Sequence, residues 1–193
     1  MMRTDMRMKF LLSFIFLLST FSIEALVTAP NYDFSLNKLD LFQPGSELRE
    51  ITKKFGNGKI LDKMNDIQLI RYYLKELRYQ FPVFIQAYNG KILDFYAPLP
   101  NYFLHDSFHQ SLIKRYGQQN KYKNKENSSV YIWHNINGRQ HIYRGSCTIL
   151  CYPDYYSVIT LKLPEKIQGF KSLLDKFKNK TPYDNEKLGI PRL

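Results

Sequence analysis

Apolar residues at helical spacing mark one helix early in the chain. Leu48, Ile51 and Phe55 recur at i, i+3 and i+7, which is the spacing of one face of an α-helix. Ser46 can cap the start of this helix, and Gly56 supplies the left-handed residue at which such helices commonly end. The pattern therefore predicts a helix between Ser46 and Gly56.

A second segment repeats this shape further along the chain. Residues 102–117 (YFLHDSFHQSLIKRYG) align without gaps to residues 41–56 (LFQPGSELREITKKFG). Ser107 and Gln110 have the spacing of a capping box, and Gly117 stands at the position of the helix-ending glycine. A duplicated helical unit is the simplest interpretation.

Alternating apolar and polar residues, rich in aromatic and β-branched types, follow each helix and predict strands. Asn89-Gly90 and Asn137-Gly138 favour a tight type I′ turn, so each predicts a hairpin. Pro82 indicates an edge position or a bulge in its strand. The predicted strands are residues 68–74, 77–88, 91–97, 129–136, 139–152 and 155–163, with a bulge at Gly145 and a turn at Pro153-Asp154.

These elements together predict an α+β fold. Each of two tandem repeat units would consist of a helix and a three-stranded antiparallel meander, with the sheet faces packed by helices. An amphipathic C-terminal helix follows, which could pack on its own domain or lie on a membrane surface. The predicted segments are a first unit at 26–100, a second unit at 101–164, the C-terminal helix at 165–180 and a loose tail at 181–193.

The N-terminus has the pattern of a signal peptide. Arg3, Arg7 and Lys9 precede an apolar run over residues 10–21, which is too short to span a bilayer. Ala25 satisfies the small-residue requirement for cleavage, so we expect residues 1–25 to be removed and the protein to be secreted or periplasmic. An uncleaved membrane anchor is the alternative.

The two cysteines, Cys147 and Cys151, lie in the long strand predicted over residues 139–152. On an extended strand they would be about 13 Å apart, which is beyond the reach of a disulfide. We therefore expect two thiols in small core positions that do not bridge each other.

The net charge is compatible with several classes of partner and does not distinguish between them. The net charge of +11 attracts phosphate backbones, acidic glycans, anionic lipids or an acidic protein. A compositional bias toward Lys, Asn, Ile, Tyr and Phe explains the charge equally well.

The histidines do not form a convincing metal motif. His105 and His109 resemble the two histidines of HExxH, which must project from one helical face. Because Ser107 is the better N-cap, His105 is expected to precede the helix. A third ligand would have to be His134 or His141.

Other catalytic patterns have less support. The sequence has no G-x-S-x-G elbow, no glycine-rich phosphate loop and no carboxylate pair at a useful spacing. We expect no catalysis, no metal and no cofactor.

Strand alternation then predicts a binding surface. If Ile85 and Ile132 face the helices, their neighbours point to the opposite side of the sheet, which becomes aromatic and basic. A second layer or the C-terminal helix could instead cover this side. The predicted binding residues are Arg71, Tyr73, Phe84, Tyr88, Tyr131, Trp133 and Tyr152.

The segment LNKLDLFQPGSELREITKKFG, residues 36–56, resembles the opening of the BamE (SmpA/OmlA) family. Gly45, Ser46 and Gly56 match its helical signature, whereas the family's lipid-anchoring cysteine is absent. The tandem arrangement also resembles the β-lactamase-inhibitor-protein architecture. The resemblance implies a non-enzymatic envelope module that binds other proteins.

Three functions remain open. The favoured hypothesis is a secreted or periplasmic module that binds another protein, for which an acidic protein is one candidate. The first alternative is a secreted binder of anionic polymer, either nucleic acid or glycan, and the second is a small secreted metal-dependent hydrolase built around the histidines.

Overall fold

A computed structural model describes residues 31–64, 66–76, 79–164, 167 and 170–178. The chain from Asn31 onward forms one compact unit. Within the described residues, no helix has the length and apolar character needed to cross a membrane. The predicted signal peptide at residues 1–25 and the tail at 181–193 lie outside the described residues.

The helices of the described chain are short. Three of them precede or interrupt the strands: α1 (Asp33–Leu39), α2 (Leu48–Phe55) and α3 (His105–Tyr116). A 3-10 helix over Asp40–Phe42 continues α1, and α4 (Leu173–Lys178) lies near the C-terminus.

Strands dominate the fold and form one eight-stranded antiparallel sheet in the order β1-β2-β3-β4-β8-β7-β6-β5. The strands β4 and β8 meet at its centre, so the first and second halves of the chain lie side by side in the same sheet. The strands are β1 (Lys59–Met64), β2 (Ile67–Glu76), β3 (Tyr79–Tyr88), β4 (Lys91–Pro98), β5 (Lys121–Lys125), β6 (Ser128–Ile136), β7 (Arg139–Cys147) and β8 (Cys151–Thr160).

The predicted fold class is therefore wrong. The sequence predicted two helix-plus-three-stranded units with helices packed on the sheet faces, whereas the structure is mostly a single eight-stranded sheet with few short helices. The physical reason is that the unpaired backbone N–H and C=O groups at the edge of one strand can form hydrogen bonds with the edge of another strand. The last strands of both halves, β4 and β8, pair with each other and leave no boundary between two sheets.

Two strands escaped prediction because they carry almost no apolar pattern. The edge strand β5 is exposed along its whole length, and β1, at the other edge, is exposed except at Leu61. Lysines dominate β5, as is common at edges that must avoid pairing with other chains. An exposed edge strand has no buried face, so hydrophobic alternation cannot reveal it.

The two cysteines form a disulfide, contrary to the prediction. The expected long strand is in fact two strands, because the chain reverses at Thr148–Leu150 instead of at Pro153-Asp154. This reversal brings the Cα atoms of Cys147 and Cys151 to 4.1 Å. Neither cysteine is buried in the core. Pro153 and Asp154 lie inside β8. The pairing register shifts between Arg144 and Gly145, where a bulge was predicted, but the extra residue is Asp154 on β8 and not Gly145 on β7.

The two Asn-Gly hairpins are confirmed. Asn89 and Gly90 both have positive φ, 46° and 74°, and link paired Tyr88 and Lys91. Asn137-Gly138 makes the equivalent turn between β6 and β7. Pro82 lies in the interior strand β3 but pairs only with β2, because pairing with β4 begins at Phe84. Its position is thus locally an edge, as its missing N–H requires.

Both helices begin at residues other than those predicted. The helix α2 starts at Leu48, because Ser46 is held in extended pairing with Ile92 through its carbonyl oxygen. The helix α3 starts at His105 and not after Ser107. Both end at glycines with positive φ, Gly56 at 77° and Gly117 at 78°, as predicted.

The main core lies between one face of the sheet and helices α1, α2 and α3. We call this the inner face and the opposite side the outer face. Trp133, Tyr143, Tyr156 and Phe95 project from the strands, and all are fully buried. The helical side chains that meet them include Leu36, Leu39, Phe42, Ile51, Phe108 and Leu112.

Candidate functional site

The outer face of the sheet is covered at its centre by α4. Phe177 of this helix packs on Phe84 and Tyr96, with ring centroids 5.0 and 4.8 Å apart. Leu173 joins the same cluster, and Leu174 packs against a second one with Tyr155. Of the two alternatives for the C-terminal helix, packing on its own domain is therefore the observed one. Residues 170–172 precede α4 without helical structure, so the helix begins at Leu173 and later than predicted.

A buried cluster of polar side chains connects α4 to the sheet through hydrogen bonds. The Asp94 carboxylate accepts a hydrogen bond from the backbone N–H of Leu173, at 2.6 Å, and two from the Gln86 side-chain amide. Lys176 donates to Gln86 Oε1 at 2.5 Å. Burial raises the pKa of Asp94 to about 7, although these hydrogen bonds oppose the shift.

This arrangement divides the predicted binding surface. Arg71 and Tyr73 lie on the outer face beside α4, with the guanidinium carbon 5.0 Å from the ring centroid. Tyr152 lies on the far half of the sheet and is half-buried, and Tyr88 is half-buried as well. The prediction that Phe84 is exposed is wrong, since α4 buries it completely. These side chains do not form one continuous patch.

The alternation predicted for β6 is wrong by one residue. Trp133 is buried in the main core, and its Nε1 donates to the carbonyl oxygen of Gly117 at 2.7 Å. Tyr131 lies on the same inner face, while Val130 and Ile132 lie on the outer face. Val, Ile, Tyr and Trp all suit a buried strand, so composition alone does not fix which alternate set is inside.

His105 and His109 form an imidazole–tyrosine cluster under the inner face. Since α3 begins at His105, both rings project from one helical face, contrary to the prediction. His105 Nδ1 lies 2.7 Å from the Tyr143 hydroxyl, and the His109 ring packs on Tyr131 at 3.8 Å between centroids. Burial lowers the pKa of both histidines, so both are neutral at neutral pH.

The four histidines do not converge. His134 is exposed near β5, where its N–H donates to Asn120, and His141 is buried against Tyr156. Among the residues that the structure describes, no group of three or more His, Cys, Asp or Glu side chains could hold a metal ion. The histidines thus give no support to a metal-dependent hydrolase.

The β7–β8 turn is the most exposed apolar feature of the described chain. The disulfide between Cys147 and Cys151 closes a turn of three residues, which we call the hairpin tip (Thr148–Leu150). Ile149 is 98% exposed and Leu150 is 76% exposed. A backbone hydrogen bond from Thr148 to Leu150 further restricts the turn. Two large aliphatic side chains are therefore held in water by a covalently closed loop.

A row of cations runs along the edge strand near this tip. Lys121, Lys123 and Lys125 are exposed and pair with Ile132, Val130 and Ser128, which places the three lysines on the outer face. We call them the lysine row. The backbone N–H of Cys147 donates to Asn127 of the β5–β6 turn, so the tip and one end of this row are neighbours.

A polar cleft opens between the 3-10 helix, the end of α3 and the β6–β7 hairpin. It has a volume of about 370 Å³, and we call it the His141 cleft. Arg115 on one wall pairs with Asp40 at 2.8 Å. The buried His141 lies on the other wall beside Arg139, and its Nε2 has no hydrogen-bond partner among the described residues. Such a buried unpaired group typically costs about 1–3 kcal/mol.

Sequence reasoning missed this cleft and the hairpin tip. The cleft is assembled from residues distant in sequence, and nothing in the local pattern around His141 or Asp40 brings them together. The tip had a visible signal in the C-T-I-L-C spacing, which also suits a turn closed by a disulfide.

Comparison of the chain with protein-family models, curated proteins and solved structures finds no match. The resemblance to the BamE family therefore stays a prediction.

Proposed function

We propose that this chain is a secreted or periplasmic protein-binding module without catalytic activity, and that the hairpin tip inserts into an apolar pocket of its protein partner. The observation that carries the proposal is the exposure of Ile149 and Leu150 on a disulfide-closed turn. Disulfides persist in oxidising compartments, which supports a location outside the cytoplasm.

Closure of the turn favours binding for an entropic reason. A flexible loop loses conformational freedom when a partner orders it, whereas a loop already restricted loses less. The disulfide and the Thr148–Leu150 hydrogen bond restrict the tip before any partner arrives.

The size of the tip favours a protein pocket over a membrane. Burying one Ile or Leu side chain contributes about 1.5–3 kcal/mol, so the two together give only a dissociation constant from millimolar to tens of micromolar. A protein partner can add contacts around the tip. We expect an acidic rim on its pocket, because Lys125 lies near the tip and the chain carries a net charge of +11.

The test compares three forms of the protein as bait in the extracytoplasmic fraction of the native host. They are the wild type, the tip variant Ile149→Ser/Leu150→Ser, and the control Ile60→Ser/Met64→Ser, which removes two exposed apolar side chains from β1 at the opposite edge. A protein recovered with wild type and control should be lost with the tip variant. The purified partner should then bind the tip variant at least about tenfold more weakly, as expected for losing a central apolar anchor.

Equal binding of the purified partner by wild type and tip variant would contradict the proposal. Tip-dependent binding to phosphatidylglycerol vesicles without any protein partner would do so as well, since it would assign the tip to a membrane.

The lysine row supports a second candidate, a binder of anionic polymer. Three exposed lysines on one side of an edge strand lie about 7 Å apart along it and can follow an extended chain of negative charges. Affinity for heparin or single-stranded DNA would then fall steeply with salt. The triple change Lys121→Gln/Lys123→Gln/Lys125→Gln would reduce that salt dependence, whereas the tip variant would retain it.

A further inference from the structure

We propose that Lys176 and Gln86 form an intramolecular isopeptide bond, with the carboxyl group of Asp94 as the acid–base group of the reaction. The bond attaches α4 covalently to strand β3, so that α4 cannot leave the outer face. The proposal concerns a different part of the molecule from the hairpin tip and does not depend on it.

The sheet and α4 bring the three side chains together from distant parts of the chain. Gln86 on β3 and Asp94 on β4 are directly paired, so their side chains lie next to each other on the outer face. The backbone N–H of Leu173 donates to Asp94 at 2.6 Å, which fixes the first turn of α4 over this pair. Lys176 lies three residues further along the same side of the helix, and its amine reaches Gln86.

The amide of Gln86 is held at both ends by hydrogen bonds. Its nitrogen donates to the two oxygens of Asp94, at 3.0 and 3.1 Å, and to the carbonyl oxygen of Lys171 at 3.0 Å. Its Oε1 accepts from Lys176 Nζ at 2.5 Å. Because the Lys171 carbonyl can only accept and the Lys176 ammonium can only donate, the amide has one orientation. The amine thus contacts the carbonyl end, and the carboxyl group contacts the nitrogen that would leave.

Burial gives the carboxyl group a suitable acidity and limits the access of water. Gln86 and Asp94 are fully buried, and Lys176 is half-buried. Burial raises the pKa of Asp94 to about 7, so that both its protonated and its ionised form are populated near neutral pH. A side chain is most effective in acid–base catalysis when its pKa lies near the pH at which it works. A buried amide is also shielded from hydrolysis.

The reaction balances without an oxidant, a cofactor or a second protein. The neutral amine of Lys176 attacks Cδ of Gln86, the Nζ–Cδ bond forms, and the Cδ–Nε2 bond breaks. Asp94 gives its proton to the leaving nitrogen, which departs as ammonia, and takes back the proton that Nζ loses. One amine and one amide thus become a new amide and ammonia, and Asp94 is regenerated.

Proximity favours this reaction over attack by an external amine. Oε1 is bonded to Cδ, so the amine of Lys176 needs only a short shift along the carbonyl group to reach the carbon. Reacting groups that are held in a suitable geometry behave as though present at about 10⁵–10⁸ M. The bond forms once in each molecule, so a slow reaction is sufficient.

The test is mass spectrometry of the folded mature chain after reduction of its disulfide, first intact and then digested with trypsin. We expect an intact mass that is lower than the sequence mass by one ammonia. The Asn-Gly turns can also lose ammonia by forming succinimides, so the decisive product is a branched peptide in which Gln86 is joined to Lys176.

Three variants assign the roles of the side chains, and circular dichroism checks that each variant folds like wild type. Lys176→Arg keeps the positive charge but removes the nucleophilic amine, so it should abolish the branched peptide. Asp94→Asn keeps the size of the side chain but removes its acid–base function, and should slow formation of the bond by about 100-fold or more. The matched control is Lys171→Arg, at an exposed lysine next to α4, which should form the bond as wild type does.

The proposal is overturned if folded wild type, kept at pH 6, 7 and 8 for several days, yields no branched peptide, whether or not it has lost ammonia. It is also overturned if Lys176→Arg still yields a branched peptide at Gln86. Formation of the bond by Asp94→Asn at the wild-type rate would overturn the role of the carboxyl group.

Discussion

A close approach of backbone and imidazole at Gly145 shows how one position controls a buried cluster. A Cβ atom at this residue would overlap the His105 ring. That ring hydrogen-bonds to Tyr143 through Nδ1 and packs beside Tyr131. The missing side chain at Gly145 thus leaves room for the His105 ring under the sheet, and glycine is required here by space and not by a positive φ.

Gly145→Ala should therefore destabilise the protein by about 1–3 kcal/mol, which is typical of overpacking in a core. Urea unfolding followed by circular dichroism measures the loss. Adding His105→Ala removes the clashing ring, so the double variant should lose less than the sum of the two single changes. Strict additivity would contradict the steric explanation. Gln140→Ala, on the same strand but partly exposed, should change stability by less than about 0.5 kcal/mol.

Among the secondary-structure elements, α4 is attached to the sheet through the carboxyl group of Asp94. Burial disfavours the charged form of this group. The hydrogen bonds from Leu173 and Gln86 favour the charged form of Asp94, but desolvation outweighs them and raises its pKa to about 7. In the unfolded chain the same group titrates near its ordinary value of about 3.9. The folded protein therefore binds a proton between these two values that the unfolded chain does not.

This linkage predicts that stability falls as pH rises from about 4 to about 7, by up to about 4 kcal/mol for this group, and that it levels off above pH 7. Urea unfolding at pH 5, 6, 7 and 8 tests the slope. Asp94→Asn should flatten it because the amide does not ionise, whereas Asp62→Asn, on the exposed strand β1, should keep it. Identical slopes for wild type and Asp94→Asn would be evidence against this role.

Comparison of the individual helices, strands and turns shows which of them could be predicted from the sequence. Elements marked by a special local residue were located well: the Asn-Gly turns and the helix-ending glycines Gly56 and Gly117. The register shift beside Gly145 was predicted in position but not in strand, because the extra residue is Asp154 of β8. Elements that are defined only by their position in the sheet could not be located from the sequence. β1 and β5 are strands because a neighbour pairs with them, and their exposed residues carry no apolar alternation.

The candidate functional residues also divide into those that a local sequence pattern predicts and those that depend on contacts between distant residues. The prediction for Arg71 and Tyr73 was right as to face, because Ile70 and Tyr72 alternate clearly with them. In the strand of Trp133 both alternate sets contain apolar or aromatic residues, Val130 and Ile132 in one and Tyr131 and Trp133 in the other, so the sequence could not decide which set is buried. The His141 cleft depends on contacts between residues that are about 100 positions apart, and no local pattern reports such contacts.

For the whole molecule, the central pairing of β4 with β8 makes one core from two halves of the chain. Asp94 to Pro98 pair with Ile159 to Tyr155, and the main core contains Ile85 from the first half and Trp133 from the second. Loss of packing in either half therefore weakens the contacts of the other. We expect a single cooperative unfolding transition.

Ile85→Ala tests this expectation, because Trp133 is the only tryptophan and reports on the opposite half of the sheet. The change should cost about 2–5 kcal/mol, as for other large-to-small changes in a core. It should lower the urea midpoint of Trp133 fluorescence and of circular dichroism by the same amount. Ile60 lies in the same cross-strand row at the exposed edge, so Ile60→Ala should leave both midpoints nearly unchanged. If Ile85→Ala shifted circular dichroism alone, the two halves would unfold separately and the shared core would not couple them.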